Sequence, residues 1–222
     1  MYHRNNFTVI LDFMGVVGDL DYVKLVMDLP TKQKFSALRV FLTLLKTPKL
    51  KNVLKQYQSG KISRETVQAV VSQYLPRASY IIPILLDKIP DYIKVNSQVL
   101  DYAKEIRNNG GRVYILSNTI PETEDFINGL DLSEVCDDVV CSTDINMIKP
   151  HKEIYEYMIS TYNLSPYQTI FIDDSAKNTK AAELCGLQVY NVANSEETCD
   201  ILESYVDALT TFPNITANDI RI

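Results

Sequence analysis

The chain has 222 residues, 46% of them apolar, and a formal charge of −6 at pH 7. That is enough to build a large hydrophobic core, in one domain or in a domain carrying a smaller inserted one. With acidic and basic residues mixed along the chain, no nucleic-acid partner is expected, whereas a phosphorylated small molecule needs only a local cluster of donors. No apolar run approaches membrane-spanning length and no opening stretch has signal-peptide grammar. The four cysteines form no CxxC pair and there are two histidines. Reduced thiols, a cytoplasmic location and no membrane partner are therefore expected, with the oligomeric state open.

Residues 7–12 read as a buried parallel strand ending on Asp12, and Gly15 and Gly18 beyond it let the backbone turn close to a ligand. A carboxylate at the open carboxyl end of such a strand serves as nucleophile, as metal ligand or, more blandly, as a helix cap. Residues 19–90 then carry helical patterns: Leu20, Val23, Val26 and Met27; Phe35, Leu38, Phe41, Leu42 and Leu45; Val67, Val70, Val71 and Tyr74. Prolines and Gly60 punctuate them, and Ser63 opens a helix start, so four or five short helices are expected.

From residue 91 the pattern alternates. A helix over 97–109 precedes a strand over 112–116 that ends on Ser117-Asn118. A short strand over 139–141 and a helix over 151–162 follow, then a strand over 169–172 ending on Asp173-Asp174. A helix to residue 185, a strand over 187–191, a helix over 195–209 and a polar tail from 211 complete the chain. Strands alternating with helices predict an α/β fold, a doubly wound parallel sheet. In such a sheet Asp12, Ser117-Asn118 and Asp173-Asp174 meet at one edge, where carboxylates share a hard cation while a hydroxyl and an ammonium hold phosphoryl oxygens. The ammonium candidate is Lys149, followed by Pro150 at a helix entry, where a cation opposes the helix dipole.

Four stretches taken together resemble the haloacid dehalogenase-like hydrolase superfamily. Residues 7–17 resemble its first motif, a strand leading into DxDG(T/V), and residues 116–119 the second, a strand ending in Ser or Thr. Residues 149–155 resemble KPxPxIY, and residues 171–186 resemble (V/I)(D/E)DSxxNxxAAxxxG. The resemblance implies a Rossmann-like core of residues 1–18 and 91–222 and an inserted helical cap of residues 19–90 that selects the substrate. It also implies a phosphatase-type hydrolase. Asp12 would be the nucleophile and Mg²⁺ would be held by Asp12, the Met14 carbonyl, Asp173 and Asp174. Ser117, Asn118 and Lys149 would bind the phosphoryl group of a small phosphorylated substrate. The chain departs from the family at Met14, where phosphatases carry a second aspartate that protonates the leaving group. The alternatives that this departure leaves are a dehalogenase- or phosphonatase-like hydrolase, or a weakly catalytic member that binds a ligand. Asp19, Asp21 and His151 are the candidates to replace the missing acid.

Overall fold

The computed structural model describes residues 7–211, so all of the expected tail but Thr211 lies outside the described residues. In chain order, β1 (Thr8–Leu11) and β2 (Gly18–Leu20) lead into α1 (Tyr22–Met27), α2 (Thr31–Lys46), α3 (Pro48–Gln58), α4 (Arg64–Tyr74) and α5 (Ile81–Lys88). After β3 (Ile93–Val95) come α6 (Ser97–Asn108), β4 (Arg112–Ser117), α7 (Pro121–Asn128), β5 (Asp138–Cys141) and α8 (Ser142–Ile145). The chain closes with α9 (Lys152–Thr161), β6 (Thr169–Asp173), α10 (Ala176–Leu184), β7 (Gln188–Asn191) and α11 (Ser195–Thr211).

Five strands form one parallel sheet in the order β5-β4-β1-β6-β7. Side chains alternate along a strand, so each face of the sheet collects its own core. Val9 and Leu11 join Val113, Ile115, Ile170 and Ile172 against α6 and α11, through Val99, Ile106, Leu202 and Tyr205. Ile10 joins Tyr114, Leu116 and Phe171 on the other face against α9 and α10, through Ile154, Tyr155, Met158 and Ala182. Central β1 is buried on both faces, which is why its sequence is a continuous apolar run rather than an alternating one. Leu11 registers with Ile115 on one side and Ile172 on the other, so the residues that follow each strand end on a common edge.

The five helices between β2 and β3 have their own apolar cluster, built on Leu29, Val40, Leu50, Tyr57, Val71 and Ile81. Ser63 starts α4 by accepting the Thr66 N–H at 3.4 Å. The helices join the sheet through an antiparallel ribbon in which Gly18 pairs with Val95 and Leu20 with Ile93. Its strands are three residues long and partly polar, too short for the sequence pattern to reveal.

The helical spacing expected over α2 is correct, and the face that packs carries Ala37 and Val40, whereas Phe35, Leu38, Phe41, Leu42 and Leu45 are exposed. The small residues let α2 approach its neighbours closely and leave the larger side chains pointing outward. Among the described residues, no helix is long and apolar enough to cross a membrane.

Candidate active site

Asp12 follows the last residue of β1, and its N–H donates to the Ile172 carbonyl at 2.9 Å, which keeps the sheet intact one residue past the strand. Asp12 Oδ1 accepts the Phe13 N–H at 2.6 Å. Lys149 reaches the same oxygen from the loop before α9. Its Nζ lies 2.8 Å from Asp12 Oδ1 and 2.8 Å from Asp173 Oδ2, and donates to the Leu116 carbonyl at 2.7 Å. One buried ammonium thus ties together the ends of β1, β4 and β6, and it also stands 5.5 Å above the Phe171 ring. The Asn118 amide is committed in both directions to the Lys149 main chain, donating to its carbonyl and accepting its N–H, each at 2.9 Å.

Asp173 is wholly buried and fully engaged. Its Oδ1 accepts the Ser175 N–H at 2.8 Å and the Asn178 amide at 2.9 Å, and its Oδ2 accepts Asn178 at 3.0 Å besides Lys149. Asp174 by contrast is exposed. Oxygens of Asp12, Asp173 and Asp174 lie within 4.8 Å of one another, a spacing at which one hard cation can be shared. Ser117 is buried at the end of β4. Gly15 sits at φ +81°, and a Cβ there would fall 2.7 Å from both Cγ and Oδ2 of Asp174. The glycine is therefore what allows the loop bearing Met14 to lie against that carboxylate. Met14 is half-buried, packs on the apolar cluster beneath and bridges to Gly18.

Burial, and after it the neighbouring charges, shows in the acid strengths. Burial pushes the Asp12 carboxyl up to about 7, Lys149 opposing the rise and Asp173 adding to it. Asp174 is raised as well, by burial and then by Asp173. For Lys149, burial pulls the ammonium down, but the Asp12 and Asp173 carboxylates outweigh it and the group is held above its ordinary value. Tyr22, at the start of α1, is raised by burial and by the field of Asp174 although the residue is two-thirds exposed, so α1 begins at the rim of this site.

The three candidates to replace the acid are placed as follows. Asp21 caps α1, its Oδ1 accepting the Lys24 N–H at 2.9 Å. Asp19 Oδ2 accepts from Ser195 Oγ at 3.4 Å and adds to the field on Asp174. His151 is exposed at the start of α9. Cys136 and Cys141 are buried, with thiols pushed up by burial to about 11 and about 12, so neither is an available thiolate near neutral pH.

One site residue escaped the sequence reading. Asn178 was legible only as a letter of the fourth motif, yet its place in the first turn of α10 aims its amide back at Asp173.

The helices stand beside this edge. Tyr57 donates to both Glu122 oxygens at 2.8 Å, Ser142 Oγ donates to the Gln58 carbonyl, and a Cβ on Gly60 would meet the Thr143 carbonyl at 2.6 Å. The end of α3 therefore rests on the first turns of α7 and α8, which follow β4 and β5.

Comparison with known proteins agrees with the geometry. The chain is 24% identical over 198 residues to a D-ribitol-5-phosphate phosphatase of Bacteroides thetaiotaomicron, covering 85% of this chain and 93% of the relative. In fold it resembles a HAD-like family hydrolase from Porphyromonas gingivalis, with a TM-score of 0.70 at 23% identity over 95% of this chain and 98% of that one. It also resembles a HAD family enzyme of B. thetaiotaomicron solved with magnesium and inorganic phosphate, with a TM-score of 0.65 at 20% identity over 84% and 94% of the two chains. The family model for haloacid dehalogenase-like hydrolases matches residues 43–192, two thirds of the length, and the chain belongs to that family.

Proposed function

We propose that the protein is a Mg²⁺-dependent phosphatase that transfers the phosphoryl group of a small phosphorylated metabolite to Asp12 and then to water. The observation that carries this reading is the convergence of Asp12, Lys149, Asp173 and Asp174 from separate strand ends on one edge of the sheet. The donor set fits a hard cation: it is all oxygen, and burial, with the neighbouring Asp173 adding to it, already raises the Asp12 and Asp174 carboxyls. Asp12, Asp174 and the Met14 carbonyl would hold the ion directly, with Asp173, whose acceptors are already engaged, orienting Lys149. When bound, Mg²⁺ supplies charge neutralisation for the phosphoryl oxygens and for the carboxylates that face them.

In the first step an Asp12 carboxylate oxygen bonds to phosphorus while the bond from phosphorus to the leaving oxygen breaks. One Asp12 carboxylate oxygen makes this bond while the other would face the ion. Lys149 and Ser117 stabilise charge on the phosphoryl oxygens, and Asn118 serves by fixing the main chain of Lys149. Water then attacks phosphorus, releasing phosphate and restoring the Asp12 carboxylate. Methionine at position 14 cannot protonate the leaving group. The suitable substrate therefore has an oxygen that departs readily unprotonated, as in an acyl or anomeric phosphate. Residues 19–90 act as the cap that selects it.

The test is turnover of a small acyl phosphate with and without Mg²⁺, in the wild type and in Asp12→Asn. Activity should vanish on chelating the metal and in the variant. Turnover that survives either change would refute the reading.

A further inference from the structure

The charges of this chain are segregated in a way its net value conceals. Residues 29–64 contain nine basic and no acidic residues, against thirteen basic and twenty-eight acidic in the remainder. Lys32, Arg39, Lys46, Lys49, Lys51 and Lys55 on α2 and α3 are exposed, and none pairs with a carboxylate among the described residues. Of thirteen large exposed apolar residues among those described, six lie in the same segment, five of them on α2, and three more on the preceding α1. On α2, Phe35, Leu38, Phe41, Leu42 and Leu45 are 43–66% exposed. At the helical repeat of 3.6 residues per turn these five fall within an arc of roughly 120°, with Lys32, Arg39 and Lys46 along one border. Tyr22, Val23 and Met27 on α1, which packs against α2, add to the exposed apolar surface.

We propose that this face of α2 docks on an anionic lipid bilayer, lying in the plane of the headgroups without crossing it. An apolar stripe bordered by lysine and arginine is the arrangement that seats a helix at a charged membrane surface, burying the leucines and phenylalanines while the cations meet lipid phosphates and carboxylates. Two copies of the chain pairing antiparallel through this face would bring the basic borders side by side. A nucleic acid would neutralise the lysines and leave five large apolar side chains in water. The convex side of a single helix offers no groove to a peptide, whereas a fluid bilayer moulds to it. The proposal departs from the sequence expectation of no membrane partner, by adsorption rather than by spanning.

The experiment is co-sedimentation of the full chain with vesicles of phosphatidylcholine alone, and of two parts phosphatidylcholine to one part phosphatidylserine. The wild type should pellet with the mixed vesicles and not with the neutral ones. It should return to the supernatant in about 0.5 M salt, where the screening length falls to roughly 4 Å. A lysine near the surface is worth about fivefold, so Lys32→Gln with Lys46→Gln should weaken binding about 25-fold. Leu38→Ser with Leu42→Ser should weaken it at least about tenfold. Circular dichroism confirms that each variant is folded, and the salt titration of the wild type needs no variant at all. The proposal is overturned if the wild type ignores the mixed vesicles or binds both kinds equally, or if salt leaves binding unchanged. It is equally overturned if either folded double variant binds like the wild type, or if the chain dimerises without lipid through a contact that Leu38→Ser with Leu42→Ser abolishes.

Discussion

Lys149 Nζ lies 2.8 Å from Asp12 Oδ1 with essentially no exposure of its own, so the proposed nucleophile is held by a cation that has given up its water. Breaking such a pair leaves carboxylates buried and uncompensated, which costs about 3–5 kcal/mol. Lys149→Met should therefore lose about that much stability at pH 7.5 without metal, and at least about a hundredfold in turnover. The stability loss should shrink at pH 5, where the Asp12 carboxyl, at about 7 in the folded chain, is already protonated and leaves no buried charge there to be stranded. Urea denaturation at the two pH values measures this, and a deficit independent of pH would contradict the pairing.

The wild type without metal should itself lose stability as pH rises. With the Asp12 carboxyl up at about 7 when folded and near 3.8 when unfolded, the folded chain holds the extra proton between those values. Stability therefore falls with rising pH across that window and levels off above it. Mg²⁺ binding favours the ionised form, so its stabilising effect should be larger at pH 7.5 than at pH 5. Thermal midpoints at both pH values, with and without Mg²⁺, give the answer; equal metal shifts would argue against Asp12 as a ligand.

Gly15→Ala should injure metal binding and folding together. The new methyl would stand 2.7 Å from the Asp174 carboxylate, on a backbone at φ +81°. A cost of about 1–3 kcal/mol is expected from the strained conformation alone. Displacement of Asp174 should raise the Mg²⁺ dissociation constant, which titration calorimetry reads. Unchanged affinity would mean that Asp174 does not ligate the ion.

Met14→Asp should restore proton transfer to the leaving group. Because Met14 packs partly on the core, the exchange sacrifices apolar contact and should lower stability modestly. Turnover of an unactivated monoester should rise by up to about a hundredfold, while an acyl phosphate, which needs no proton, should gain little. The ratio of the two rates is the readout, and a uniform change would place the acid elsewhere.

The strand ends were legible because β1, β4 and β6 are buried on both faces and so appear as apolar runs that stop abruptly at Asp12, Ser117 and Asp173. Lys149 was legible from its awkward place before a helix. What its ammonium touches was not, since the Leu116 carbonyl is a main-chain acceptor with no residue signature. Periodicity also located α2 but not its buried side: Ala37 and Val40 carry too little apolar weight to mark the packed face against Phe35, Leu38 and Leu42. The ribbon of β2 and β3 was invisible for a different reason, being made by pairing across more than seventy residues rather than by local preference.

Gly18 belongs to two structures at once. It opens the ribbon that carries the helices, and it also closes the loop after Asp12, its carbonyl accepting the Gly15 N–H and its N–H donating to the Phe13 carbonyl, each at 2.8 Å. The strand that carries the helices therefore shares a residue with the loop that follows Asp12, so the backbone at Gly18 serves both the ladder to Val95 and the hydrogen bonds that shape the turn at Met14 and Gly15.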